Sequence, residues 1–125
     1  MPAAPPSVRV VKRVGSGSLS DLETLRNARD FRRVLSKGNR SRSGGIVLVG
    51  SPGQPGPPRL GLVVSKGSGN AVTRNRIKRR LRHAARELPL QPGMDYIIIA
   101  SGQVSEVDYT QVQTWLDRAL EGVKR

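Results

Sequence analysis

The 125-residue chain has no cysteine, one histidine, four aromatic residues and only 9 acidic side chains against 22 Lys and Arg. Without cysteine there are no disulfides, thiolate metal sites or thiol nucleophiles. A single histidine, His83, argues against a histidine-based metal centre and against a Ser-His-Asp triad. No apolar run reaches the ~18 residues that would suggest a membrane-spanning helix. Phe31, Tyr96, Tyr109 and Trp115 are too scattered to form the paired strand aromatics of a common single-strand RNA module.

What is present is positive charge, unevenly placed. The formal net charge is +13, but residues 1–86 carry +16 and residues 87–125 carry −3. Such segregation predicts one strongly phosphate-attracting surface and a polyanionic partner. The length suits one domain with one small core.

Residues 1–20 read as a basic, disordered tail: three prolines oppose regular structure and Gly15–Ser18 reads as a flexible linker. Arg9, Lys12 and Arg13 interrupt its apolar stretch, so it does not read as a signal peptide. A helix is expected over 28–37, capped by Asn27 and ended by Gly38. Strands are expected at 46–49, 59–65 and 95–100, the first two separated by the Pro/Gly-rich loop 51–58. Asn70 should cap a long helix over 71–88, and Ser105 a final helix over about 106–122, with Asp108 completing a capping box.

Residues 70–88, NAVTRNRIKRRLRHAAREL, carry the sharpest signal. On a helical wheel Ile77, Leu81, Ala84, Ala85 and Leu88 form one apolar stripe, Val72 falls outside it, and the rest of the circumference is basic. Residues 70–86 contain no acid, so Arg74, Lys78 and Arg82 repel one another at i,i+4 spacing where a solvated helix would interleave Glu. Phosphates would relieve that repulsion, and arginine is well suited to contact them bidentately. A strand-like segment just before residue 70 disfavours helix-turn-helix DNA binding, and the scarcity of large apolar residues opposite the basic face disfavours a membrane. Structured RNA fits best. Gly67–Gly69 lacks the Gly-Lys-Ser/Thr of a nucleotide loop, and the scattered carboxylates do not suggest a two-metal nuclease.

The run Arg59–Lys66 followed by Gly69–Arg79, with its Gly-Asn-Ala-Val turn and Arg-Asn-Arg helix, resembles the bacterial ribonuclease P protein component. Asp30–Val34 with Gly38 upstream and Asp95–Ala100 downstream match in order and spacing, so the resemblance covers about residues 22–122. It implies an α+β sandwich of α-β-β-β-α-β-α order over residues 21–125, with a mixed sheet and a left-handed βαβ crossover around the basic helix. The usual hand for such a unit is right.

The resemblance also implies a cytoplasmic, non-membrane protein that acts as a monomer within a ribonucleoprotein. Its partners would be a catalytic ribonuclease P RNA and precursor tRNA, from which the RNA, with Mg2+ bound mainly by that RNA, removes the 5′ leader. No protein side chain would be catalytic. By family position Lys66, Asn70, Arg74, Asn75, Arg76, Lys78, Arg79 and Arg82 would bind RNA. Phe31, Leu35 and Val49 would line the leader cleft, although Phe31 reads equally well as core beside Val34. Leu35 and Val49 stand where the family often has aromatics, and Gly67 where it commonly has lysine, implying weaker stacking and one phosphate contact fewer. The alternative is a ribosomal-type or assembly protein that binds structured RNA without a cleavage partner.

Overall fold

A computed structural model describes residues 23–65, 67 and 69–124. The expected tail at 1–20 and Lys66 lie outside the described residues. In chain order the elements are β1 (Glu23–Thr24), α1 (Ala28–Lys37), β2 (Asn39–Ser43), β3 (Ile46–Pro52), β4 (Arg59–Val64), α2 (Ala71–Arg86), β5 (Met94–Ala100), a 3-10 turn (Gly102–Ser105) and α3 (Tyr109–Lys124). After the two-residue β1, the order is the α-β-β-β-α-β-α implied by the resemblance.

The sheet runs β1-β4-β5-β3-β2. β4 and β5, joined through α2, are parallel neighbours, whereas β5 with β3 and β3 with β2 are antiparallel. Helices cover both faces, which is why β3 and β5 read as nearly unbroken apolar runs rather than alternating ones. On one face α2 and α3 bury Ile46, Leu48, Leu60, Tyr96 and Ile98 against Ile77, Leu81, Val112 and Leu116. On the other, α1 buries Val34 with Leu25, Val49 and Ile97.

The strand register explains how α1 is seated. Three rows cross its face of the sheet: Arg59–Asp95–Ser51, Gly61–Ile97–Val49 and Val63–Ile99–Val47. In the first row Arg59 grips Asp95 with two bonds, Nε to Oδ1 at 2.8 Å and Nη2 to Oδ2 at 2.7 Å. Arg33 of α1 donates to the same carboxylate and, at 2.7 Å, to the Pro52 carbonyl, while Asp30 of α1 pairs with Arg59 at 3.3 Å. Asp95 is only 1% exposed. Burial pushes its carboxyl pKa upward, but the hydrogen bonds from Arg59 and Arg33 outweigh that and hold it below the usual carboxylate range. The second row lies under α1, whereas the third stays partly open, with Val63 37% exposed.

The helix starting at residue 71 ends at Arg86, two residues short of the expected end; its cap is Asn70, whose side-chain oxygen accepts from Thr73 N at 2.9 Å. Gly69 precedes it at φ 132°, a conformation that a β-carbon would strain. The last helix corrects the sequence expectation. Its start is Tyr109, with Asp108 Oδ1 accepting from Gln111 N at 2.9 Å, and Ser105 instead closes the 3-10 turn by donating to the Gly102 carbonyl. The cause is tertiary: Val104 is drawn fully into the core, and Arg80 of α2 donates to the carbonyls of Val104 and Val107 at 2.9 and 2.7 Å. The chain is held in a turn until residue 108. β2 (NRSRS) was not marked by any apolar pattern, because it is an edge strand whose arginines face water.

Candidate nucleic-acid interface

The buried side of α2 is Ile77, Leu81, Ala84 and Ala85, as the stripe predicts; Leu88 lies half-buried just past the helix end, and Val72 is 66% exposed. Fixing that face on the sheet fixes where every cation points. Lys78, Arg82 and Arg86, spaced four residues apart, form one wall of a groove of about 200 Å³ on the β1–β4 side of the sheet. Its other walls include Phe31, Leu60, Gly61, Leu62 and Glu23. Arg76, Arg79, Arg80 and His83 line a second groove on the opposite flank, closed by Tyr109 of α3. A third lies at the end of the sheet beside the open row, lined by Arg42, Val47, Ile99, Ser101 and Gln103 among others.

The arginines divide by partner. Arg33 and Arg59 are committed to Asp95 and Asp30, Arg80 to two carbonyls, and Arg40 to the Leu35 carbonyl at 2.8 Å. By contrast, the side chains of Arg74, Arg76, Lys78, Arg79, Arg82 and Arg86 make no hydrogen bond or ion pair among the described residues. These cations share one helix that has no acid in its first turn. The positive end of the helix dipole adds to their field at that end.

Of the residues singled out from the sequence, Phe31, Lys78 and Arg82 converge on the first groove, and Arg76 and Arg79 on the second. Arg74 is half-buried and Asn75 exposed, and neither lines any of these three grooves. Asn70 has its side-chain oxygen committed to capping α2. The Phe31 ring is half-buried against the α1 core and also walls the first groove, lying over Gly61, where any β-carbon would collide with Cζ. Val49, expected at the cleft, has no exposed surface because Val34 and Leu25 cover it; it supports the sheet under α1 from within. Leu35 is half-buried in the same cluster and lies outside the groove.

Sequence reasoning missed Arg86, although its spacing from Lys78 and Arg82 was there to be read. It also missed Tyr109, whose place beside α2 depends on the turn held by Arg80.

Among the described residues no three His, Asp or Glu side chains converge, and Glu23, the carboxylate in the first groove, shares it with three cations. The arrangement suits phosphates, with apolar and aromatic surface for bases between the cationic walls.

The family model for ribonuclease P matches residues 19–124. The ribonuclease P protein component of Thermobifida fusca is 37% identical over 117 residues, covering 86% of this chain and 80% of its own. That of Shouchella clausii is 36% identical over 105 residues, covering 82% and 86%. Among solved structures, the ribonuclease P protein of Thermotoga maritima superposes with a TM-score of 0.68 at 30% identity, covering 82% of this chain and 96% of that one. The Staphylococcus aureus protein gives 0.67 at 29% identity, covering 78% and 92%. With most of its length matched in sequence and in fold, the chain belongs to the ribonuclease P protein family.

Proposed function

We propose that this chain is the protein subunit of a ribonucleoprotein that cleaves precursor tRNA to free its mature 5′ end, binding a catalytic RNA and the substrate's 5′ leader. The observation that carries this reading is the set of six α2 cations that make no hydrogen bond or ion pair among the described residues, three of them lining a groove walled by Phe31. The catalytic RNA, with its bound magnesium, supplies the hydrolytic chemistry; the protein's part is to neutralise phosphate and to position the leader.

Shape supports one path for the leader. A single strand lying against the partly open row Val63–Ile99–Val47 would place bases on apolar surface, with Phe31 at one side and Arg42 near the sheet end. Cleavage of precursor tRNA by the matching RNA at limiting magnesium, with and without the chain, tests the function. The expected result is faster cleavage with the protein. Unchanged cleavage, with equal binding to unrelated structured RNA, would leave only the assembly-protein reading.

Gly61→Ala tests the leader contact. The new methyl group displaces the Phe31 ring at a stability cost of about 1 kcal/mol. Affinity for precursor tRNA should then fall about fivefold or more, the scale of one lost base stack, while affinity for leaderless tRNA holds. Equal losses for both substrates would remove Phe31 from the leader path.

A further inference from the structure

We infer that the groove between α2 and the start of α3 is a stacking site for one unpaired nucleotide of the partner RNA, with His83 and Tyr109 receiving the base and Arg76 and Arg79 the flanking phosphates. The inference rests on the reading above that the partner is RNA; it adds a site that recognises a base where charge alone would track only the backbone.

Three observations converge. The rings of His83 and Tyr109 form a tilted contact pair, 5.4 Å between centroids at an interplanar angle of 60°, an aromatic corner whose groove-facing side can take a base. The groove, about 280 Å³, is lined by these rings and by Arg76, Arg79 and Arg80, with no carboxylate. That volume is below the range typical of sites for drug-sized ligands and suits a single base. Finally, the corner is braced from behind. Tyr109 donates its hydroxyl to Glu87 Oε1 at 3.1 Å, Gln113 donates to the same oxygen, and Arg80 is pinned to the Val104 and Val107 carbonyls. Burial and the Glu87 acceptor both raise the Tyr109 pKa, so the hydroxyl remains a donor to Glu87.

Partner chemistry follows from these walls. A duplex would meet the cations with phosphates but leave the rings unused, because its bases are already stacked. An acidic peptide would pair with Arg76 and Arg79 and gain little from two aromatic faces. A base released from a loop or bulge uses both: it stacks on the rings while its phosphates reach guanidinium groups one helical turn apart. Arg80, with its charge engaged by carbonyls, serves as a wall.

The test is titration of the full chain with the matching ribonuclease P RNA across several salt concentrations, combined with chemical probing of unpaired bases. Tyr109→Leu should weaken binding about tenfold without altering the slope of log affinity against log salt, since stacking releases no counterions. Tyr109→Phe, which keeps the ring, should recover most of that affinity. His83→Ala, at an exposed position, provides a second variant should Tyr109→Leu fold poorly, and should weaken binding in the same salt-independent way. One base should be protected by the unmodified chain and become reactive with Tyr109→Leu and His83→Ala. If both ring losses leave affinity and protection unchanged while Arg76→Ala lowers the salt slope, the stacking site is wrong and the RNA interface stands. If the unmodified chain does not bind this RNA, the functional reading fails as well.

Discussion

Replacing Arg76, Arg79 and Arg82 together by alanine is expected to weaken binding to the ribonuclease P RNA by about a hundredfold at 0.15 M salt, and to reduce the salt slope by about 2.7. Each phosphate contact releases about 0.9 counterion, which near 0.15 M is worth roughly 0.7 log unit of affinity. All three side chains are exposed, and none has a hydrogen-bonding or ionic partner among the described residues. Their removal therefore costs no folded-state contact of those kinds. It relieves like-charge repulsion along α2 and introduces the residue of highest helix propensity. The thermal midpoint should hold or rise while RNA affinity falls, a combination that separates an interface from a structural role. Binding isotherms over a salt series and a thermal melt check both halves. An unchanged slope would show that these cations are solvated rather than seated on phosphate.

The second large effect lies at Asp95. Asp95→Asn keeps the shape of the side chain but removes the charge that gathers Arg59 and Arg33, and should cost about 3 kcal/mol of stability at pH 7. The lower end of the range for breaking buried pairs applies, because Asp30 still faces both arginines and neither is fully buried. The pH dependence has a definite sign. Because the folded-state pKa of Asp95 is depressed, its contribution is fully present above the unfolded-state value of about 3.9 and is lost as pH falls through the folded value. Urea unfolding of both proteins should show a constant gap from pH 7 to about pH 5 that closes on further acidification. A gap that persists undiminished at the lowest pH would assign the loss to packing rather than charge. Since Arg33 belongs to α1, the variant should also loosen the helix that carries Phe31, and precursor tRNA binding should weaken more than RNA-subunit binding.

Local signals were legible wherever one element carried its own instructions. Asn27 and Gly38 bracket α1 as expected, and the apolar stripe of α2 is the buried stripe. In both, the cap and the 3.6-residue period lie in adjacent residues, so no distant partner is needed. β2 has no apolar pattern of its own, because an edge strand can be polar on both faces; only pairing with β3 defines it. The start of α3 was misplaced because Ser105 is a competent cap in isolation. The choice fell to Asp108 once Val104 was buried and Arg80 reached the Val104 and Val107 carbonyls across 24 and 27 residues of chain.

The interface shows the same division. Its charge was plain from residues 70–86, since repeated cations without an acid declare a phosphate partner whatever the fold. Which cations remain available was not. Arg59 and Arg33 carry the same charge as the α2 cations, yet both are tied to Asp95, 36 and 62 residues away. Val49 matched a cleft position by family order and is sealed beneath α1, whereas Arg86 and Tyr109 acquired places in grooves only when helices met. The sequence by itself determined the kind of partner and the helix that meets it, because net charge, caps and helical period are properties of neighbouring residues. The tertiary structure decided which arginines hold the protein together and which face outward, because ion pairing and burial depend on strand register and on groups far apart in the chain.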